Sequence, residues 1–203
     1  MSSPKKIELL AATKNKKKLK EIKEILKDLD LEIISLANLP RSPRIVENGR
    51  TFKDNAIKKA VRTAGFTGKL TLGEDSGLCV EALNGRPGVY SSRFSGKAKS
   101  DLKNNLKILR LLQGVPLEKR KACYVSSVAL ADKNGLLGVK VGICSGLIGF
   151  KMQGSLGFGY DPIFIIPKYN RTFAELGSRI KHKMSHRYRA LLKLRTLLIK
   201  HLK

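Results

Sequence analysis

The residues best suited to chemistry here are acids, in a chain that has few of them. Of 203 residues, 41 are Lys or Arg and only 16 are Asp or Glu, giving a formal net charge of +25. Glu74 and Asp75 stand side by side in Gly73-Glu-Asp-Ser-Gly77, between two apolar runs, and Glu47 lies upstream in the polar loop Glu47-Asn-Gly49. Three such carboxylates suit Mg²⁺, a hard cation that takes one or two carboxylates and completes its shell with substrate phosphates and water. One of them could also accept a proton from an activated water. The alternative is a turn carrying solvent-facing acids.

Three more segments complement the acids. Thr13-Lys-Asn-Lys-Lys-Lys18 lies where an apolar run gives way to helical spacing. A helix N-terminus offers free N–H groups and partial positive charge to a phosphate chain, and Lys14, Lys16, Lys17 and Lys18 add side-chain charge. The alternative there is a solvated basic helix face; the segment is no Walker A loop, lacking its glycines. Phe158-Gly-Tyr-Asp161 places two aromatics and an acid among glycines, which suits a purine pocket or a turn with core aromatics. Lys181-His-Lys-Met-Ser-His-Arg187 reads as a basic cluster facing an anion. A His182/His186 metal pair needs one continuous helix, whereas Ser185 is a natural N-cap that leaves His182 outside.

The elements that must position these residues alternate in period. Ile7–Ala12 is a short apolar strand; Leu19, Ile22, Ile25, Leu26 and Leu29 give an amphipathic helix over 14–29; Leu31–Leu36 is the next strand. Thr51-Phe-Lys-Asp54 fits a capping box, opening a helix with Phe52, Ala56, Ala60 and Ala64 on one stripe. Leu70–Leu72 and Leu78–Ala82 read as strands flanking the acidic turn. Leu102, Leu106, Leu109 and Leu112 mark a third helix, closed by Gly114. Residues 121–131 and 136–148 form a hairpin around Asp132-Lys-Asn-Gly135. Pro162–Pro167 is one more strand, and a last helix from about Ser185 buries Leu191, Leu194, Leu198 and Leu202. The order is mixed α/β over 1–203, in one domain or two lobes sharing a sheet.

Composition removes other classes. The longest apolar runs, such as Cys123–Ala131, are too short to cross a bilayer as a helix, and Ile7–Ala12 is too short for a signal peptide. Cys79, Cys123 and Cys144 form no Cys-x-x-Cys pair and read as small hydrophobes in a reducing cytoplasm. The excess charge suggests a polyanion, but the twelve aromatics are not interleaved with the basic runs and no nucleic-acid-binding signature is present. Nucleic-acid affinity is therefore expected to be incidental, with the charge steering an anionic substrate.

Six segments occur in order: Ala-Thr-Lys-Asn-x-x-Lys, Glu-Asn-Gly-x-Thr-Phe-x-x-Asn-Ala, Glu-Asp-Ser-Gly-Leu, Arg-Pro-Gly-Val-Tyr-Ser-Ser-Arg-Phe, Gly-Phe-Gly-Tyr-Asp-Pro-Ile-Phe and Ser-His-Arg. Together they resemble the inosine triphosphate pyrophosphatase family, the xanthosine/deoxyinosine triphosphate diphosphatases, from about Ile7 to Leu198. The resemblance implies an elongated central mixed sheet flanked by helices, two lobes around a substrate cleft, a homodimer and Mg²⁺ dependence. It implies cleavage of ITP, dITP or XTP to the monophosphate and pyrophosphate. Carried over by motif, Thr13, Lys14, Asn15, Lys16, Lys17 and Lys18 bind the triphosphate, Lys18 being catalytic. Glu47, Glu74 and Asp75 hold the metal, Asp75 also taking the proton. Ser76, Phe158, Gly159, Tyr160, Asp161, Lys181, His186 and Arg187 bind the substrate.

Two positions depart from the family pattern. Glu74 stands where the family usually has Asp, lengthening that carboxylate's arm by a methylene. Tyr188 stands where Gly usually follows Ser-His-Arg. Base choice follows from hydrogen bonding: Asp161 or a nearby carbonyl would accept from a purine N1–H, Lys181 or Arg187 would donate to O6, and Phe158 would stack. Adenine would leave buried polar groups mismatched. Rival readings are a basic nucleic-acid-binding protein, an impaired nucleotide-binding relative, and a Maf-type pyrophosphatase, whose Ser-x-Arg-Arg phosphate loop is lacking.

Overall fold

The computed structural model describes residues 6–202. The elements run β1 (Ile7–Ala11), α1 (Lys16–Ile25), β2 (Leu31–Ser35), α2 (Phe52–Thr67), β3 (Thr71–Val80), α3 (Asp101–Leu111), β4 (Lys121–Asp132) and β5 (Gly135–Ile148). They continue with β6 (Phe164–Ile166), β7 (Arg171–Thr172), α4 (Phe173–Met184) and α5 (His186–Leu202). The strands form one sheet in the order β2-β1-β3-β4-β5-β6-β7. β1 pairs in parallel with β2 and β3, while β6 pairs antiparallel with β5 and β7, so the sheet is mixed, as expected.

The chain divides into two compact units. The first comprises the chain up to Asp75, Ser126–Gly142 and the chain from Arg189 onward. Its core joins Leu9 and Ala11 of β1, Ile22 and Leu26 of α1, Val128 and Leu130 of β4, and Leu191, Leu194 and Leu198 of α5. The last three are the helix stripe read from the sequence; the side chain of Leu202 lies outside the described residues. Ala56, Ala60 and Ala64 of α2 face Ala129 and Ala131, and this small-residue contact draws helix and sheet together. A Cβ at Gly73 would lie 2.2 Å from the Ala56 carbonyl oxygen, so only glycine permits the approach of β3 to α2.

The second unit comprises Ser76–Val125 and Ile143–Tyr188. Leu78, Ile108, Leu112, Ile148, Phe164 and Phe173 pack around Tyr124 and Tyr160 in its core. Each fully buried side chain of this size contributes roughly 1.5–3 kcal/mol of transfer free energy.

Several expected elements differ. α1 starts at Lys16 because Asn15 caps it, its side chain accepting from the N–H groups of Lys17 and Lys18. The two short strands around the acidic turn are one uninterrupted strand, β3, so Glu74 and Asp75 lie within the sheet and not on a turn. The Pro162–Pro167 strand shortens to Phe164–Ile166. Helix α4 was not anticipated; its signature is the Thr172/Glu175 capping box, both halves of which are made.

Candidate active site

In the first unit, β3 presents two carboxylates to opposite faces, because side chains alternate along a strand. Asp75 turns toward α2. Its Oδ2 accepts from Asn55 Nδ2 at 3.0 Å, and its Oδ1 lies 3.3 Å from Lys59 Nζ. Lys59 also pairs with Glu47 Oε2 at 2.6 Å and donates to the Glu74 carbonyl at 3.1 Å. Asn55 ties the arrangement to the upstream loop, since its Oδ1 accepts from the Gly49 N–H at 2.8 Å. A Cβ at Gly49 would sit 2.7 Å from that oxygen, which explains the glycine two residues after Glu47. The Thr51 capping box fixes where α2 begins and thereby the reach of Asn55 and Lys59.

Glu74 turns the other way. Its Oε2 pairs with Lys18 Nζ at 3.2 Å and its Oε1 accepts from Ser126 Oγ at 3.1 Å. Glu47 and Asp75 thus share one cation, Lys59, while Glu74, expected as a third metal ligand, is engaged with Lys18. Among the described residues no three His, Cys, Asp or Glu side chains converge as a metal centre. The strand's alternation is the reason, and a Glu–Asp dipeptide read as a turn hides it.

Charge and burial set the protonation of this cluster. Burial pushes the Asp75 carboxyl above its ordinary range, against the pull of Lys59, Lys18 and the Asn55 hydrogen bond. Burial alone would lower Lys59, but the charges of Asp75 and Glu47 prevail and raise it. Lys59 is therefore a fixed cation. The phosphate-binding expectation for α1 also changes in detail. Asn15 Oδ1 already takes the N–H groups of Lys17 and Lys18, at 2.9 and 3.1 Å, and Thr13 Oγ1 takes that of Asn15 at 3.1 Å. Thr13 and Asn15 shape the turn, leaving Lys14, Lys16 and Lys17 as exposed charges.

The second unit gathers the other candidate residues. Asp161 is fully enclosed, and its Oδ2 accepts from Lys181 Nζ at 2.7 Å and from the Phe158 N–H at 2.8 Å. Its Oδ1 accepts from the Tyr124 hydroxyl at 3.3 Å, which in turn accepts from the Tyr160 N–H at 3.0 Å. The carboxylate is thus directed inward at its own loop. This departs from the expectation that Asp161 itself reads a base: a carboxylate turned into its loop organises that loop. A Cβ at Gly157 would lie 2.1 Å from Asp161 Oδ2, and this residue has φ +81°, so the turn requires glycine twice over. Gly159 is pinned by Asp101 Oδ2, which takes its N–H at 2.9 Å, and by Asn105, which donates to its carbonyl at 2.7 Å.

Around that loop lie the bases. Lys181 Nζ sits 4.3 Å from the centroid of the Phe158 ring, and the Arg187 guanidinium 5.8 Å from it. Arg187 donates to Ser76 Oγ at 3.1 Å. His186 stacks on Tyr124 at 4.6 Å, with the planes 9° apart. Burial, then the Asp161 charge, drives the Tyr124 hydroxyl well above its ordinary pKa, so it remains a phenol. Ser185 ends α4 and its Oγ accepts from the Tyr188 N–H at 3.2 Å. His182 and His186 therefore lie on different helices, and Tyr188 is half-buried. Sequence reasoning missed Lys59, Asn55, Ser126, Tyr124, Asp101 and Asn105. Asn55 and Lys59 are four apart on a helix, a signal that could have been used.

A carboxylate–lysine cluster at the start of a lysine-rich helix, with an aromatic–cation cluster elsewhere in the chain, narrows the comparison to proteins that carry both. The Ham1 family model matches residues 9–197. This chain belongs to the Ham1 family. It is 48% identical over 187 residues to a dITP/XTP pyrophosphatase of Desulforamulus reducens, covering 92% of this chain and 93% of that one. It is 45% identical over 184 residues to a dITP/XTP pyrophosphatase of Shouchella clausii, with 91% and 92% covered. Its fold is similar to that of a HAM1 protein from Coxiella burnetii, with a TM-score of 0.86 and 39% identity over 96% of this chain and 99% of that one. Within this Ham1 chain, no helix of the described residues is long and apolar enough to cross a membrane.

Proposed function

We propose that the chain hydrolyses the non-standard purine nucleoside triphosphates ITP, dITP and XTP to the monophosphate and pyrophosphate, clearing them from the nucleotide pool. The observation that carries this reading is the convergence of Asp75 and Glu47 on one cation, Lys59. Two hard-oxygen donors already gathered about a positive charge suit Mg²⁺, which takes few protein ligands and leaves positions for phosphates. Glu47 and Asp75 would hold that ion; Glu74 orients Lys18. Bound there, Mg²⁺ would neutralise phosphate charge and favour departure of pyrophosphate.

The protein's own residues account for the remaining steps. Lys18 and the exposed Lys14, Lys16 and Lys17 draw in and align the triphosphate, and positioning supplies much of the rate in phosphoryl chemistry. Asp75 accepts the proton of the attacking water at a carboxylate oxygen. Its raised pKa makes it a better base than an ordinary carboxylate. Asn55 holds the carboxylate in one orientation. In the second unit, Phe158 offers a stacking face, and Lys181 and Arg187 offer donors for a 6-oxo group. With Asp161 turned inward, the acceptor for N1–H falls to a backbone carbonyl of the same loop. Adenine, with a donor at position 6, meets two cations there and is rejected.

The relatives' names support the substrate class, the family resemblance supports a homodimer that works on the Mg²⁺ complex, and the cysteine usage suits the reducing cytoplasm. Exposed Tyr90, Leu102 and Leu106 in the second unit would supply apolar area for such a dimer. The deciding experiment measures pyrophosphate release from ITP, dITP, XTP, GTP and ATP, with and without Mg²⁺. Turnover of the first three far above the last two, and only with Mg²⁺, is the expected result. Equal turnover of all five would end the base-reading argument, and no turnover would favour a nucleotide-binding relative without catalysis.

A further inference from the structure

The loop that carries Phe158 has its most adjustable backbone on either side of that ring. Gly157 and Gly159 have φ +81° and +66°. Glycine adopts either sign of φ at little cost, so the peptide between Phe158 and Gly159 can turn over with little local penalty. Such a flip exchanges a carbonyl for an N–H on the face that the loop presents. A carbonyl there accepts from the N1–H of hypoxanthine or xanthine, whereas an N–H there suits the N1 acceptor of adenine. The orientation of one peptide therefore governs which base the loop favours, and the glycines on either side do not choose it.

Helix α3 makes the choice. Asp101, its first residue, takes the Gly159 N–H at 2.9 Å through Oδ2. A carboxylate accepts hydrogen bonds and donates none, so it holds that N–H and repels a carbonyl in its place. The two groups of a trans peptide point opposite ways, so the Phe158 carbonyl is turned away from α3. One turn along, Asn105 Nδ2 donates to the Gly159 carbonyl and to the Asp101 carbonyl, both at 2.7 Å. Its Oδ1 is enclosed and has no hydrogen-bond partner among the described residues, a cost that the two donated bonds must offset. α3 is itself firmly seated: Ile108 is buried in the core, and Asn104 Oδ1 accepts from the Ser95 N–H at 2.7 Å. The Phe158 carbonyl also accepts from the Asp161 N–H, at 3.3 Å, and a carbonyl's two lone pairs let it accept a second bond.

We propose that Asp101 and Asn105 are positioning residues for base selection. By holding Gly159 at both its N–H and its carbonyl, they keep the Phe158 carbonyl toward the N1–H of a 6-oxo purine. This rests on the base reading proposed above and names the acceptor within it.

The test measures kcat and KM for dITP and dATP in the full chain and in Asp101→Asn, Asn105→Asp and Ile108→Val, and follows amide hydrogen exchange at Gly159 by NMR. Asp101→Asn keeps the size of the side chain but adds donors that can serve a flipped carbonyl. Asn105→Asp sets a carboxylate against the Gly159 carbonyl. In both, the dITP/dATP ratio of kcat/KM should fall by about tenfold, mainly through KM for dITP, with kcat for dITP changed by less than about threefold. Exchange at Gly159 should quicken in both. Ile108→Val removes one methylene from the core of the same helix and should lower Tm without moving the ratio, which separates positioning from lost stability. Asp101 is exposed, so Asp101→Asn gives the answer even where Asn105→Asp does not fold. An unaltered chain that prefers dITP, with variants that keep its ratio, overturns this inference alone, as does an Ile108→Val that shifts the ratio equally. An unaltered chain with no preference removes the base reading, and this inference falls with it.

Discussion

The two clusters of polar residues are built on opposite principles. In the first unit, Lys59 is shared between Asp75 and Glu47, and the Glu47 side chain is 42% exposed, so that partner can leave for another cation at little cost. In the second unit, the Lys181–Asp161 pair is 4% and 1% exposed and is further braced by the Phe158 N–H and the Tyr124 hydroxyl. A pair so enclosed cannot exchange partners without a large penalty. The first arrangement suits chemistry that brings and removes charge at every turnover. The second suits a fixed template that must present the same donors to each base. One unit stores adaptable charge, and the other stores shape.

The largest effect that could break this contrast lies at Asp75. Asp75→Asn keeps the size and one acceptor but removes the base, and turnover of dITP with Mg²⁺ should fall by about 10²- to 10⁴-fold while circular dichroism is unchanged. A folded Asp75→Asn protein with near-native pyrophosphate release would sink the assignment of chemistry to the first unit. Glu47→Gln should lower kcat/KM by about tenfold to a hundredfold, with the loss relieved at higher Mg²⁺ concentration. Because Glu47 is half-exposed, thermal stability should change by less than about 1 kcal/mol.

Lys181→Met tests the other side and should show the reverse balance. It strands a fully buried carboxylate, so a loss of about 3–5 kcal/mol is expected, or roughly 10 °C in Tm. Adding Asp161→Asn in the same chain should recover part of that stability and none of the preference for dITP over dATP. If Lys181→Met is instead as stable as the parent, the second cluster is no rigid template and the contrast fails. Tyr124→Phe is milder. It leaves the Tyr160 N–H without its acceptor and Asp161 short of one donor, at a cost of about 1–3 kcal/mol. The dITP/dATP ratio of kcat/KM should fall more than kcat itself.

Much of this was readable from the chain. The alanine stripe of α2, the leucine stripe of α5, the Asp132–Gly135 hairpin and the Thr51 cap all follow local rules of period and turn chemistry, and all are present. The acids, the Phe158–Asp161 loop and the Lys181–Arg187 run were visible by residue type. Direction was not visible. Glu74 and Asp75 part company because β3 runs through them, which depends on lysines from α1 and α2 neutralising charge inside a sheet. Asp161 turns inward because Lys181 and Tyr124, from distant segments, meet it. Such long-range partners leave no periodic trace.

The smallest test concerns how far the rigidity of the second unit extends along α4. Gly177, at φ 73° and ψ −179°, breaks the helical path between the Thr172/Glu175 cap and Lys181. The cap therefore secures only the first turn, and Lys181 depends on its own buried pair. The backbone hydrogen bond from Thr172 holds the exposed Glu175 carboxyl below its ordinary range. A depressed carboxylate contributes stability that is present above its unfolded pKa and disappears as pH falls through the folded value. Glu175→Gln should accordingly lower Tm slightly at neutral pH, and its difference from the parent should vanish under acid conditions. The dITP/dATP ratio should stay the same, since the Phe158–Lys181 geometry lies beyond the break. A shift in that ratio would mean that α4 acts as one body through Gly177, and the template would then include the cap.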